Sequence, residues 1–158
     1  PSAIGQGTHN NSTSQLARYV TTLANQGTSY KLSLIEEAGT QQAPRIESRI
    51  DLPPEVWDTV KEGMEEFASS ASYLGELNIR TAGKSGTAQE SDIRPDHALF
   101  VGYAPADAPK IAAAVRIANG YTSGNAVAAA ADMFKYYFEG DESVLNSKAS
   151  QASTVRTD

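Results

Sequence analysis

A lysine, two hydroxyl residues and a glycine fall in one run of four, Lys84-Ser85-Gly86-Thr87, inside a segment that reads as extended from Asn78 to Glu90. Alternate side chains of a strand share a face, so both hydroxyls can donate to one anion, a carboxylate for instance. Gly86 has no Cβ, which lets another backbone come close to the strand at that point. Lys84 adds positive charge, although alternation alone does not bring its ammonium to the hydroxyl side. Two other readings use the same residues. An edge strand carries solvated Lys, Ser and Thr as ordinary protection against unwanted pairing. A phosphate-binding loop also ends as Gly83-Lys84-Ser85 does. That loop needs a glycine where Asn78 stands, and a helix where Thr87 to Glu90 continues as strand. Both conditions fail, and nucleotide binding is set aside.

The remaining polar candidates are weaker. His9 and His97 have no second ligand at metal spacing, and zinc needs three or four donors. His97 opens an extended segment and is expected to be a packed or hydrogen-bonded structural histidine. Glu36-Glu37 and Glu65-Glu66 are adjacent pairs, which on a helix do not share a face, so they read as solvated surface. Tyr136-Tyr137 is expected to pack.

The elements that must position the Lys84 strand can be read around it. A helix is predicted from Thr13 to Gln26, because Leu16, Val20, Leu23 and Ala24 lie on one face. Ser12 and Gln15 have capping-box spacing, and Gly27 stands where a left-handed residue stops a helix. Short strands are expected at Lys31 to Glu36 and Arg45 to Ile50. Pro53-Pro54 opens a second helix whose buried face is Val56, Val60, Met64 and Phe67, with Trp57 beside them. Beyond the Lys84 segment, His97 to Tyr103 and Lys110 to Ala118 read as an antiparallel hairpin joined by a proline-bounded loop. Ile111, Ala113, Val115 and Ile117 share a face, and Ala112 and Ala114 leave room for something to pack closely on the other. A third helix is predicted from Asn125 to Phe138, with Val127, Ala131, Phe134 and Phe138 on one stripe.

Composition removes several classes of function. The 158 residues carry 13 Lys and Arg against 19 Asp and Glu, a net charge of −6. A length of this order suits one domain that buries roughly 70% of its unfolded surface. An acidic chain argues against nucleic acid, whose phosphates need clustered Lys and Arg. The longest apolar run, Ala126 to Ala131, is far short of the ~20 residues that span a bilayer. Without cysteine there is no disulfide, thiol catalysis or Cys-based zinc site. Pro1 carries no initiating methionine and no leader-like flank, so the chain is expected to be a piece of a longer protein.

Four ordered blocks resemble one known family, the class B penicillin-binding proteins of the elongation type. Lys84-Ser85-Gly86-Thr87-Ala88-Gln89 resembles the K-S/T-G-T-A/S strand of their transpeptidase domain. Ala3-Ile4-Gly5-Gln6-Gly7 resembles S-I-G-Q-G. Gln15-Leu16-Ala17 through Leu23-Ala24-Asn25 resembles the helix T-P-L-Q-L-A…L-A-N-G-G. His97-Ala98-Leu99-Phe100-Val101-Gly102-Tyr103-Ala104-Pro105 resembles H-A-W-F-V-G-Y-A-P, with Leu99 where an aromatic is usual. The resemblance runs over about residues 2 to 138, with Ser12-Thr13-Ser14 replacing the usual start of the helix. The family's nucleophile motif, S-x-x-K, is absent: none of the six lysines has a serine three residues before it. Ser123-Gly124-Asn125 matches the second motif, S-x-N, but follows the Lys84 strand instead of preceding it. It is read as a turn and helix cap.

The resemblance implies an α+β fold, an antiparallel sheet flanked by helices in the manner of penicillin-binding and serine β-lactamase-like transpeptidases, of which this chain supplies the C-terminal portion. Residues 1–139 would belong to that domain, and 140–158 would form a polar, disordered tail. It implies a serine D,D-transpeptidase that cross-links peptidoglycan stem peptides and is acylated by penicillins. By carry-over, Thr87 N–H is half of an oxyanion hole, the Ser85 and Thr87 hydroxyls hold the terminal carboxylate beside Gly86, and Lys84 tunes the field and proton traffic. No metal or organic cofactor is implied. The implied partners are the upstream half of the same domain, the stem peptide and β-lactams, at the extracytoplasmic face of a bacterial membrane, with the anchor outside this chain. A non-catalytic β-lactam sensor domain and a truncated interaction module are the alternatives.

Overall fold

The structure is a computed structural model that describes residues 11–33, 43–90 and 92–140. Ala3 to Gly7, His9, Glu36-Glu37 and 141–158 lie outside the described residues.

Helix α1 spans Thr13–Ala24 and begins on the expected capping box. The Ser12 hydroxyl accepts the Gln15 N–H at 3.2 Å, and the Gln15 side chain accepts the Ser12 N–H at 2.7 Å. Two left-handed residues, Gln26 at φ 48° and Gly27 at φ 94°, then reverse the chain. Only glycine fits at 27, since a Cβ there would stand 2.3 Å from the Ile50 carbonyl oxygen and 2.7 Å from the Trp57 ring. The reversal delivers the chain straight into β1, Thr28–Tyr30, paired antiparallel with β2, Ile46–Arg49. Strand β1 thus ends before Lys31, Lys31 to Ser33 of the expected Lys31 to Glu36 strand are not in it, and the rest of that segment lies outside the described residues. The position of β1 is set by pairing, because Ile50 N–H bonds Gly27 C=O and Lys31 N–H bonds Arg45 C=O at the two ends of the ladder.

Helix α2, Pro54–Ser70, starts on proline as expected and buries Met64 and Ala68. Val56 and Val60 are 38% and 39% exposed, against the sequence reading. The helix meets β3, and the residues it buries lie in its C-terminal half, so the apolar residues of its first turns lie away from the described core.

The main sheet has the order β3-β4-β5, with β3 at Ala82–Ala88, β4 at His97–Ala104 and β5 at Ile111–Ile117, all antiparallel. Strand β3 starts later than Asn78. Arg80 C=O instead accepts Ala106 N–H at 2.8 Å from the loop beyond β4, which ends the regular ladder at Ala82 opposite Tyr103. Helix α3, Ser123–Glu139, is capped by the Thr122 hydroxyl, one residue before the serine expected to cap it. Asn125 holds the turn by donating its side-chain amide to Gly120 C=O at 2.8 Å.

Alternation gives the sheet two buried faces. Ala98, Phe100, Ala104, Ala113 and Val115 pack with Val127, Ala130, Ala131 and Phe134 of α3. On the opposite face Ala82, Tyr103 and Ala112 pack with Val20 of α1 and Met64 of α2. The small side chain of Ala112 is what admits α1, as expected. Phe100, Phe134, Leu74 and Val20 are the largest fully buried side chains, each contributing about 1.5–3 kcal/mol by burial. Tyr137 packs edge to face on the Phe138 ring at 4.9 Å between centroids, but neither tyrosine of the pair is buried. Tyr136 and Tyr137 are 46% and 53% exposed, on the outer side of α3.

Candidate active site

Among the described residues no strand lies beyond β3, so Lys84-Ser85-Gly86-Thr87 occupies an outer strand. The four residues pair with Val101, Phe100, Leu99 and Ala98. Directly paired side chains share a face, so Ser85 and Thr87 project on the Phe100 and Ala98 side, and Lys84 and Gly86 on the other. In an antiparallel ladder the N–H and C=O of one residue point to the same neighbour, and successive residues alternate. Arg80 C=O faces Ala106, and Ala104 C=O faces Lys110 at the β5 end. That parity turns the backbone groups of Ala82, Lys84 and Gly86 toward β4 and those of Gly83, Ser85 and Thr87 toward the outer edge. The side-chain bond from Lys84 to the Ser85 carbonyl agrees with it.

Exposure does not divide by face. Lys84 and Thr87 are exposed, while Ser85 and Gly86 are half-buried. The Lys84 ammonium donates to Ser85 C=O at 2.9 Å and lies 4.9 Å from the centroid of the Phe67 ring. Phe67, placed by the sequence on the buried face of α2, is therefore also a neighbour of the site. No periodicity argument signals that contact, because it joins two elements through a flexible side chain.

Two glycines shape the strand behind the site. Gly83 and Gly102 are paired across β3 and β4, and a Cβ on either would stand 2.5 Å from Phe100 Cζ. At Gly86 a Cβ would meet only Leu99, at 3.6 Å. Gly86 is thus free of the fold's own packing, in keeping with a strand face left open to another chain.

His97 is a structural histidine, as expected. Its Nδ1 accepts the Asn119 N–H at 3.0 Å, which puts the proton on Nε2, and Nε2 lies 2.5 Å from the Glu90 carboxylate. The imidazole ties the end of β3 to the turn before α3. Glu65 pairs with Arg80, and with Lys61 at 3.7 Å, instead of forming an acid/base pair with Glu66. Burial, with the Glu65 carboxylate adding to it, raises the pKa of the Tyr103 phenol above its ordinary value. A pocket of about 630 Å³ opens between α2 and the 74–81 segment, lined by Glu62, Glu66, Leu74 and Arg80 among others. None of the four residues from Lys84 to Thr87 lines it, so the candidate site is an open strand edge and not this pocket.

An outward row of amides and carbonyls, two hydroxyls and an ammonium match an extended peptide that ends in a carboxylate. The model of the penicillin-binding protein transpeptidase domain matches residues 2–138. The chain belongs to this family. The peptidoglycan D,D-transpeptidase MrdA of Haemophilus influenzae is 32% identical over 85% of this chain and 25% of its own length. Penicillin-binding protein 2 of Pseudomonas aeruginosa, solved in complex with WCK 5153, superposes with a TM-score of 0.72 at 34% identity, covering 85% of this chain and 32% of that one. Penicillin-binding protein A of Mycobacterium tuberculosis, as its imipenem acyl-enzyme, gives 0.71 at 26% identity, covering 82% and 31%. The chain spans about a quarter of the length of the curated relative and a third of the solved ones. The fold is that of penicillin-binding transpeptidase domains, with helices around an antiparallel sheet, and the resemblance to elongation-type class B members holds.

Proposed function

We propose that residues 1–139 are the C-terminal part of the transpeptidase domain of an elongation-type peptidoglycan D,D-transpeptidase, followed by a polar tail over 140–158. The observation that carries this is the open edge of β3, where Ser85 and Thr87 turn their backbone groups outward beside the Lys84 ammonium. The stem peptide adds to that edge as a further strand. The Ser85 and Thr87 hydroxyls hold its terminal carboxylate next to Gly86. A serine from the upstream half of the same domain attacks the penultimate D-alanine carbonyl. Thr87 N–H donates to the oxygen as it gains charge, an interaction that strengthens only in the transition state. D-alanine leaves, and an amine from a neighbouring stem takes the acyl group from the serine. Lys84 supplies the positive field and directs the proton transfers. β-Lactams acylate the same serine. The parent protein works at the extracytoplasmic face of the bacterial membrane, held there by an N-terminal anchor.

Labelling with fluorescent penicillin tests this. The upstream half and this chain together take up label, and a turnover assay on stem peptide gives cross-linked product, which a non-catalytic sensor does not. Residues 1–158 alone take up none, because no serine stands three residues before any of the chain's lysines. Stoichiometric labelling of the isolated chain refutes the division of labour.

A further inference from the structure

The Lys84 ammonium is held from two sides, by a carbonyl of its own strand at 2.9 Å and by the face of the Phe67 ring at 4.9 Å. Both groups are electron-rich and neutral, so they fix the position of the charge without cancelling it. Helix α2 presents Phe67 with its ring anchored in the hydrophobic cluster around Leu74, whereas Lys84 is exposed at the end of four rotatable bonds. A lysine so free loses considerable entropy when it is fixed for reaction. A ring already immobilised by packing lowers that loss.

We propose that Phe67 is a positioning residue for Lys84, its ring face holding the ammonium over the outer edge of β3. This rests on the acyl-transfer reading above and adds a residue that lies outside the Lys84-Ser85-Gly86-Thr87 motif. The contact depends on the ring's electron density and not on its volume, and that separates positioning from packing. Substituting position 67 with trifluorophenylalanine keeps the shape and withdraws the negative face of the ring.

The experiment uses the full-length parent protein and measures the second-order rate of acylation by a fluorescent penicillin, with a thermal melt of each variant. Trifluorophenylalanine at 67 should slow acylation by about 3- to 30-fold with an unchanged melt, and monofluorophenylalanine should fall between. Phe67→Tyr should keep the parent rate, and Phe67→Leu should match the trifluoro variant. Lys84→Ala is the control. If Lys84→Ala slows acylation while the fluorinated rings do not, Phe67 is only packing and the inference is overturned with the site reading intact. If Lys84→Ala acylates at the parent rate, the site reading falls and this inference with it.

Discussion

Gly86→Ala, made in a protein that carries both halves of the domain, separates folding from chemistry at the centre of the strand. A Cβ at 86 meets only Leu99, at 3.6 Å to its Cβ and 3.9 Å to its Cδ1, which is ordinary van der Waals contact. Alanine also loses less backbone entropy than glycine on folding, by about 0.5–1 kcal/mol. The thermal midpoint should therefore hold or rise by a few degrees. Gly83→Ala is the contrast three residues earlier. Its Cβ would stand 2.5 Å from Phe100 Cζ and 3.1 Å from the Val101 carbonyl oxygen, an overpacking that costs about 1–3 kcal/mol. Function runs the other way at 86. A methyl on the open face holds an incoming backbone off the strand, and a displacement near 1 Å can cost about a hundredfold in rate. Acylation by a fluorescent penicillin should thus slow by about 10- to 100-fold in Gly86→Ala while the melt stays intact. Acylation at the parent rate refutes the close approach, and a collapsed melt refutes the packing argument.

Three further expectations concern neighbouring residues. Thr87→Val removes a hydroxyl and keeps the outward N–H, so it should weaken substrate capture, whereas Thr87→Pro deletes that N–H and should lower the acylation rate constant further; equal penalties in stopped-flow acylation argue against the oxyanion role. His97→Leu leaves the Asn119 N–H without its acceptor and should cost about 1–3 kcal/mol, while His97→Gln retains a side-chain carbonyl and should lose less. Denaturant midpoints decide, and identical losses sink the assignment. Burial raises the pKa of the Tyr103 phenol, so above about pH 10 the folded protein keeps a proton that the unfolded chain gives up. Stability is fully present below that pH and falls as pH rises past it. Tyr103→Phe should flatten the fall that sets in above about pH 10, and an unchanged slope there means that Tyr103 is not its source.

Local signals were legible, and pairing between segments distant in the chain was not. Helix α1 could be read to its capping box because Ser12 and Gln15 settle that end between themselves. The β4-β5 hairpin and the stripe of Val127, Ala131 and Phe134 were equally legible, each carried by one unbroken period. The first strand was misplaced because its limits are hydrogen bonds to Arg45 and Ile50, far along the chain. In α2 the apolar period runs through Val56 and Val60 without saying which turns meet the sheet. The Ser85 and Thr87 side chains share a face, as alternation requires. Where the Lys84 ammonium goes was beyond reach, since Phe67 lies on another element. Family membership was readable from four blocks in order, and no one of them would have sufficed.

The pair Gly83 and Gly102 beneath the Phe100 ring encodes more than close packing. If β3 slid by one residue against β4, Lys84 or Ala82 would come opposite Gly102, and a side chain would enter the space that the ring fills. The slip is thereby forbidden at one end of the hairpin, about 13 Å from Thr87 along an extended strand. A slip of one residue also exchanges inside for outside in every amide of the strand. Which N–H groups are offered at the edge is therefore decided by an aromatic ring packed at Gly83, and the odd-numbered set reaches Thr87 because glycine stands there.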